Sequence, residues 1–136
     1  MAFSTVLTLI TFLSTTGWAQ YVLEDDYFSG GDFFDKFSFW NTSDPTQGCV
    51  DYQDLSTASL GNLTKVQDNG QSYMGVDYET KAPSNGRGSV RLTSTKSYNS
   101  GLVIVDLEHM PGGICGTWPA FWMVGPDWPT NGEIGE

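Results

Sequence analysis

Three tryptophans and a glutamate lie within the last twenty residues of the sequence, TWPAFWMVGPDWPTNGEIGE. Flat indole rings stack on the apolar faces of pyranose sugars, and a carboxylate can attack or stabilise an anomeric carbon. Trp118, Trp122, Trp128 and Glu133 are therefore candidates for a carbohydrate site, with Trp128 the best sugar platform because it lies in a loop between two prolines. The alternative is that the tryptophans fill a core and Glu133 is a surface charge, which aromatic content alone favours.

The run WPAFWMVGPDWPTNGEI resembles the active-site segment of glycoside hydrolase family 16, specifically of fungal laminarinase-like endo-1,3(4)-β-glucanases. The family pattern is a Trp-Pro-Ala-x-Trp run, a Trp-Pro loop and Gly-Glu-Ile-Asp, then two apolar residues and a second Glu. An upstream run, FFDKFSFWNTSDPTQGCVDY, resembles the N-terminal part of the same group, so the resemblance covers most of the chain. It implies Glu133 as the catalytic nucleophile and tryptophan platforms for a β-glucan.

The match to the family pattern ends at Ile134, because Gly135 stands where the family has Asp. A retaining glycosidase needs a second carboxyl group, roughly 5–5.5 Å from the first. Glu136 lies three residues after Glu133, and in a regular strand it points to the opposite face. A bulge could rotate it only to the place of the missing Asp, so we do not assign Glu136 as the acid/base and keep it as an out-of-register candidate.

Arg91 is the remaining candidate site residue. It lies in SVRLTS, Ser89–Ser94, where alternation predicts a strand with Val90 and Leu92 on one face and Arg91 on the other. The family resemblance implies that this strand lines or supports the substrate groove. The alternative is a solvated arginine on the outer face.

Short strand-like segments separated by Gly, Pro, Asn, Asp and Ser predict an all-β chain with no amphipathic helix. Asp68-Asn69-Gly70-Gln71 predicts a hairpin with a type I′ turn between Leu60–Gln67 and Ser72–Glu79. The nearly continuous apolar run Leu102–Leu107 predicts a strand buried on both faces. Other predicted strands are Tyr21–Tyr27, Phe33–Trp40 and Gly48–Gln53. Two face-to-face sheets, a jelly-roll-like β-sandwich of the concanavalin A type, fit this pattern.

Residues 1–19 predict a secretory signal peptide with cleavage before Gln20, and therefore a secreted, extracellular protein. Two N-glycosylation sequons, at Asn41 and Asn62, agree with secretion. Cys49 and Cys115 could pair with each other, or either could have a partner elsewhere. Residues 20–136 are then predicted to be the N-terminal part of a family 16 catalytic domain, because such a domain is about twice this length.

The chain carries a formal net charge of −10, which argues against nucleic acid and anionic membranes as partners. A neutral β-glucan is the expected partner, with no metal, no cofactor and a monomeric state. The first functional interpretation is a retaining endo-β-glucanase, inactive as this 136-residue fragment because its acid/base is missing. The second is a non-catalytic β-glucan-binding protein. An unrelated secreted β-sandwich would require the shared motif to be coincidence.

Overall fold

The computed structural model of the chain describes residues 21–28, 30–81 and 83–135. These residues divide into two compact units, the first ending at Ser97 and the second beginning at Tyr98. Within them the structure has eight short strands in four two-stranded sheets, one 3-10 helix and one α-helix. No helix in this part of the chain is long and apolar enough to cross a membrane. The predicted signal peptide lies outside the described residues.

The phenylalanine-rich segment of the first unit is not one strand. Its first half is a 3-10 helix, Gly30–Lys36, and only Phe37–Phe39 forms strand β1. The Phe33 ring lies 5.1 Å from Phe34 and 5.0 Å from Phe37. Neighbours in a strand face opposite sides, whereas a helical turn lets Phe33 contact both rings, so the prediction of a strand over Phe33–Trp40 was too long. The predicted strand Tyr21–Tyr27 is also wrong, since the described backbone there has no strand.

A helix that the sequence pattern did not predict follows strand β2, Val50–Tyr52. This helix, α1, spans Leu55–Leu60, and the side chain of Asp54 accepts a hydrogen bond from the backbone N–H of Thr57 at 2.7 Å. Asp54 is thus an N-cap, a local signal that the alternation of apolar and polar residues does not contain. Ala58 on α1 is fully buried, and Leu63, just after the helix, is only 7% exposed. The helix therefore supplies part of the small core of this unit.

The predicted hairpin is present, with strand β3 (Thr64–Val66) antiparallel to strand β4 (Ser72–Met74). Its turn is not type I′, which would need positive φ at both Asn69 and Gly70. Only Gly70 is left-handed, with φ of 85°, and its N–H donates to the Gln67 carbonyl at 2.9 Å. The connection is longer than a two-residue turn, and a single glycine at the left-handed position completes it.

The strand predicted at Ser89–Ser94 is divided between two sheets. Strand β5 (Arg87–Ser89) runs parallel to β2, whereas strand β6 (Leu92–Ser94) runs antiparallel to β1. Val90 and Arg91 lie between them, so the chain changes partner at the residues that were expected in mid-strand. Gly86 has φ of 91° just before β5, and a Cβ there would come within 2.5 Å of the Val50 nitrogen. This position requires glycine because the backbones approach so closely.

The prediction of a buried strand at Leu102–Leu107 is wrong for this structure. The segment forms no strand, and its apolar side chains are exposed, Ile104 by 73% and Leu102 by 62%. A strand needs a partner for its backbone and a second layer for its side chains. In residues 98–135 the pairing that forms is between strands β7 (Trp122–Val124) and β8 (Glu133–Gly135).

Candidate active site

The β7–β8 hairpin carries the candidate nucleophile. The strands are antiparallel, with Val124 opposite Glu133 and Trp122 opposite Gly135. Within their connection the Thr130 N–H donates to the Asp127 carbonyl at 2.8 Å, which closes a turn. Glu133 therefore begins a paired strand directly after a tight loop, as the sequence predicted, and it is exposed.

A direct hydrogen bond joins two of the predicted site residues. The Trp128 Nε1–H donates to the Glu133 Oε2 at 2.7 Å. The Trp128 ring also meets the Trp122 ring edge to face, with centroids 6.4 Å apart and planes at 88°. Both tryptophans are half-buried. The indole of Trp128 therefore orients the carboxylate, and Trp122 supports that indole from the side.

The position where the family has Asp lies on the same face of β8 as Glu133. A Cβ added to Gly135 would be 3.8 Å from Glu133 Oε1 and 3.2 Å from the Trp122 Cβ. This agrees with the even spacing of the two positions along a strand. One oxygen of Glu133 is thus held by Trp128, and the other faces the place of the missing side chain. Glu136 lies outside the described residues.

Trp118 is separate from this group of side chains within the second unit. Its side chain is 92% exposed and its backbone belongs to no strand. The hairpin therefore brings together Trp122, Trp128 and Glu133 but leaves Trp118 as an open ring. A role for each of the three tryptophans in sugar binding stays a prediction.

Arg91 lies in the first unit and is held by protein groups. Its guanidinium carbon is 4.8 Å from the centroid of the Trp40 ring and 5.9 Å from that of Tyr52. Its Nη1 is 3.8 Å from Asp44 Oδ1, and the two side chains are only 17% and 7% exposed. A freely solvated arginine is therefore excluded, and its groove role stays a prediction. We did not predict Trp40 and Asp44 as partners of Arg91. The sequence features that could have pointed to them are the end of the aromatic strand, where Trp40 lies, and the Asp-Pro-Thr turn, which begins at Asp44.

The Asp44 carboxylate also accepts hydrogen bonds from residues that follow it in the chain. The Thr46 hydroxyl donates to its Oδ2 at 2.5 Å, and the Gly48 N–H donates to the same oxygen at 2.9 Å. The Thr46 hydrogen bond is the largest cause that holds the pKa of Asp44 below its usual value, with smaller help from Gly48 and the Arg91 charge against an opposing desolvation. Asp44 is therefore a fixed negative charge that helps to position Arg91.

Cys49 and Cys115 are both free thiols and both exposed. Within the part of the chain that the structure describes, no three His, Cys, Asp or Glu side chains are grouped so as to hold a metal ion. The chemistry available at the hairpin is that of an oriented carboxylate beside aromatic rings.

Comparison with known proteins gives a family match over most of this sequence. Residues 37–135 match the model of the XgeA-like catalytic GH16 domain. A probable endo-1,3(4)-β-glucanase of Aspergillus flavus is 54% identical over 107 residues, which are 77% of this chain and 16% of that protein. The endo-1,3(4)-β-glucanase of Arthroderma benhamiae is 47% identical over 131 residues, 96% of this chain and 28% of that protein. The chain thus spans less than a third of each of these two relatives.

Two solved structures resemble the chain. An elongating GH family 16 β-1,3-glucosyltransferase superimposes with a TM-score of 0.74 at 50% identity, over 79% of this chain and 37% of that one. Laminarinase 16A of Phanerochaete chrysosporium, with 6-O-glucosyl-laminaritriose in both donor and acceptor sites, gives 0.69 at 37% identity over the same shares. Both are jelly-roll β-sandwich proteins, so the predicted fold class is confirmed.

Proposed function

The chain belongs to the XgeA-like catalytic domains of glycoside hydrolase family 16, and from this membership we propose that it contributes the nucleophile half of a secreted β-glucanase. The substrate class is a β-1,3- or mixed β-1,3/1,4-glucan, in keeping with the names of its relatives. The reaction is a double displacement that retains the anomeric configuration.

The observation that carries the proposal is the hydrogen bond of 2.7 Å from Trp128 to Glu133 on a paired strand. A nucleophilic carboxylate reacts fastest when it is held in one orientation, with an oxygen within reach of the anomeric carbon. Trp128 fixes Oε2, so Oε1 is the oxygen that forms the bond to the sugar. The bond to the leaving oxygen then breaks, and that oxygen takes a proton from a general acid.

Trp122 and Trp128 act in this proposal through their position beside the carboxylate. Trp128 donates to Glu133 with its nitrogen, which leaves its ring face as the surface that a sugar would contact. Trp122 packs against that ring with the two planes at 88° and limits its rotation. Trp118, as an open ring in the same unit, is the candidate for a more distant sugar of the polymer.

The general acid is the part of the mechanism for which this chain has no assigned residue. In the family pattern it is a second Glu, four or five residues after the first, with an Asp between them that helps set their protonation. Here position 135 is Gly, and its α-carbon lies opposite Trp122 on the nucleophile's own face. We propose that the 136-residue chain by itself does not hydrolyse glucan, so purified chain that released reducing sugar from laminarin would contradict this.

A glucan-binding module is the second candidate function, and Gly135 is the observation that favours it. Replacing the helper Asp by Gly removes a carboxyl from the site but leaves the tryptophans in position. Sedimentation with insoluble β-1,3-glucan separates the two proposals when combined with a product assay. Binding without product by a complete domain that carries this segment supports the module, and product formation supports the enzyme.

A chimera tests the enzyme proposal. Residues 37–135 of this chain would replace the matching segment of the endo-1,3(4)-β-glucanase of Emericella nidulans, to which the chain is 48% identical. We expect laminarin hydrolysis that rises in a Gly135→Asp variant, and that falls at least about 10³-fold in a Glu133→Gln variant of either form. An active chimera that is indifferent to Glu133→Gln would refute Glu133 as the nucleophile.

A further inference from the structure

The sequon Asn62-Leu63-Thr64 forms a turn that directs its asparagine outward. It follows helix α1 directly, where Asn62 takes a left-handed backbone with φ of 55° that asparagine tolerates better than most residues. Leu63 and Thr64 are buried, at 7% and 5% exposure, and the Leu63 N–H donates to the Ala58 carbonyl at 2.8 Å. The core thus holds the two following residues, while the Asn62 side chain is exposed.

An open groove of about 370 Å³ lies beside this asparagine. Two of its lining residues expose large apolar surfaces, Leu60 by 84% and Tyr78 by 80%. The other lining residues include the polar Gln53, Thr57 and Thr80 and the acidic Asp77 and Glu79. The groove thus combines an exposed aromatic ring with hydrogen-bonding groups, which are the two kinds of contact that a sugar ring makes.

We propose that Asn62 carries an N-linked glycan whose first sugar lies in this groove against the Tyr78 ring. Asn62, to which the sugar is joined, is itself a lining residue, so the covalent attachment lowers the entropic cost of placing the sugar in the groove. Its apolar face would cover the tyrosine, and its hydroxyls would bond the polar walls. The groove falls within the range of small-ligand pockets, about 300–1,000 Å³, so it has room for the first sugar.

The second sequon offers an internal comparison. Asn41 is also exposed, but its own neighbours are engaged locally: the Trp40 indole N–H donates to the Thr42 and Ser43 carbonyls at 3.1 and 3.3 Å. Asn41 is not among the residues that line the groove at Tyr78. A sugar on Asn41 would therefore leave Tyr78 as exposed as before.

The glycan proposal depends on the proposed secretion of the protein but not on its proposed glucanase activity. The test therefore measures secretion and glycan attachment separately. The full chain would be produced in a secretory yeast, and occupied asparagines would be marked with ¹⁸O when peptide N-glycosidase F releases the glycans. We expect the mark on Asn62, a loss of one glycan in Asn62→Asp, and retention of the Asn62 glycan in Asn41→Asp. Aspartate is the chosen replacement because it also tolerates the left-handed backbone.

Secreted protein whose Asn62 is unmodified would overturn the glycan proposal and leave the proposed secretion standing. Protein that never enters the medium and carries no glycan would overturn both. The glucan-cleaving chemistry is untouched by either result, because the mass spectrum of the peptide needs no activity.

Hydroxyl-radical footprinting tests the contact with Tyr78. Endoglycosidase H leaves one sugar on Asn62, whereas peptide N-glycosidase F removes the whole glycan and converts the asparagine to an aspartate. We expect Tyr78 to be oxidised at least about twofold more slowly in the one-sugar form, because one face of its ring is covered. Tyr21, which is 78% exposed, is the matched control and should react equally in both forms. Equal oxidation of Tyr78 in the two forms would overturn the proposed contact.

Discussion

Removing the hydrogen-bond acceptor at residue 133 should speed the hydrogen exchange of the Trp128 indole N–H with solvent. In the structure the Trp128 Nε1–H donates to Glu133 Oε2 at 2.7 Å. Glu133→Gln keeps an oxygen acceptor but removes its charge, and Glu133→Ala removes the acceptor. The two variants therefore separate the contribution of the charge from that of the hydrogen bond itself.

The expected magnitudes follow from the strength of the two kinds of hydrogen bond. Bonds to charged groups contribute about 1.5–3 kcal/mol and neutral ones about 0.5–1.5 kcal/mol. Glu133 is exposed, so the lower end of each range applies. Because 1.4 kcal/mol corresponds to a factor of ten, the indole proton should exchange about tenfold more slowly in the wild type than in Glu133→Ala. Glu133→Gln should show only about a twofold slowing.

Exchange of the indole proton can be followed by NMR on ¹⁵N-tryptophan protein. Trp118, whose side chain is 92% exposed, serves as the control and should exchange at the same rate in all three proteins. If Trp128 exchanges equally fast with Glu, Gln and Ala at residue 133, the indole does not hold the carboxylate. The account of how the hairpin orients its nucleophile would then be refuted.

Two predictions concern the stability of the first unit. Because the folded state holds the pKa of Asp44 below 3.8, its contribution is present above about pH 4 and is lost as the pH falls through the lowered pKa. Asp44→Asn should therefore lower the free energy of unfolding at neutral pH by about 1 kcal/mol, measured by urea unfolding, and this deficit should shrink as the pH falls through the lowered pKa; a deficit that stays constant as the pH falls would contradict the linkage. Gly86→Ala should cost about 3 kcal/mol, because its Cβ would come within 2.5 Å of the Val50 nitrogen, whereas Gly70→Ala meets no atom within 4 Å and should cost about 1 kcal/mol. Equal costs measured by urea unfolding would show that close approach is not what requires glycine at residue 86.

Local turn chemistry and alternation were enough to predict part of this structure. The Asn-Gly hairpin and the paired strand that begins at Glu133 are both present. The shared face of residues 133 and 135 also follows from spacing alone. These features depend on residues close in sequence, so their signals lie within a few positions of each other.

Other features depend on side chains that alternation does not represent. Helix α1 begins at a single capping carboxylate, Asp54. The aromatic strand is shorter in the structure than predicted, because Phe33 lies in a helical turn where it contacts both Phe34 and Phe37. The change of partner strand at Arg91 follows from where β1 and β2 lie, which the sequence of that segment does not encode. The prediction of a strand at Leu102–Leu107 failed because a strand needs a pairing partner outside its own segment, which the segment's sequence does not specify.

The hydrogen bond at the candidate site was also beyond sequence reasoning. Trp128 was predicted as a sugar platform because it lies between two prolines. That its nitrogen reaches Glu133, five residues on, depends on the conformation of the intervening loop, including a left-handed Gly132 with φ of 81°. Side-chain direction in loops of this kind is set by the whole loop, so residue types alone could predict the chemistry but not the contact.

The most direct test of the central claim is to trap the sugar on its nucleophile. The Emericella nidulans chimera, in its Gly135→Asp form, would be inactivated with a 2-deoxy-2-fluoro β-1,3-glucosyl fluoride and digested for mass spectrometry. A retaining enzyme holds such a sugar as a covalent ester on its nucleophile. We expect the label on the side-chain carboxylate of Glu133 and none in Glu133→Gln. A label on another carboxylate, with Glu133 unmodified in an inactivated enzyme, would contradict the account.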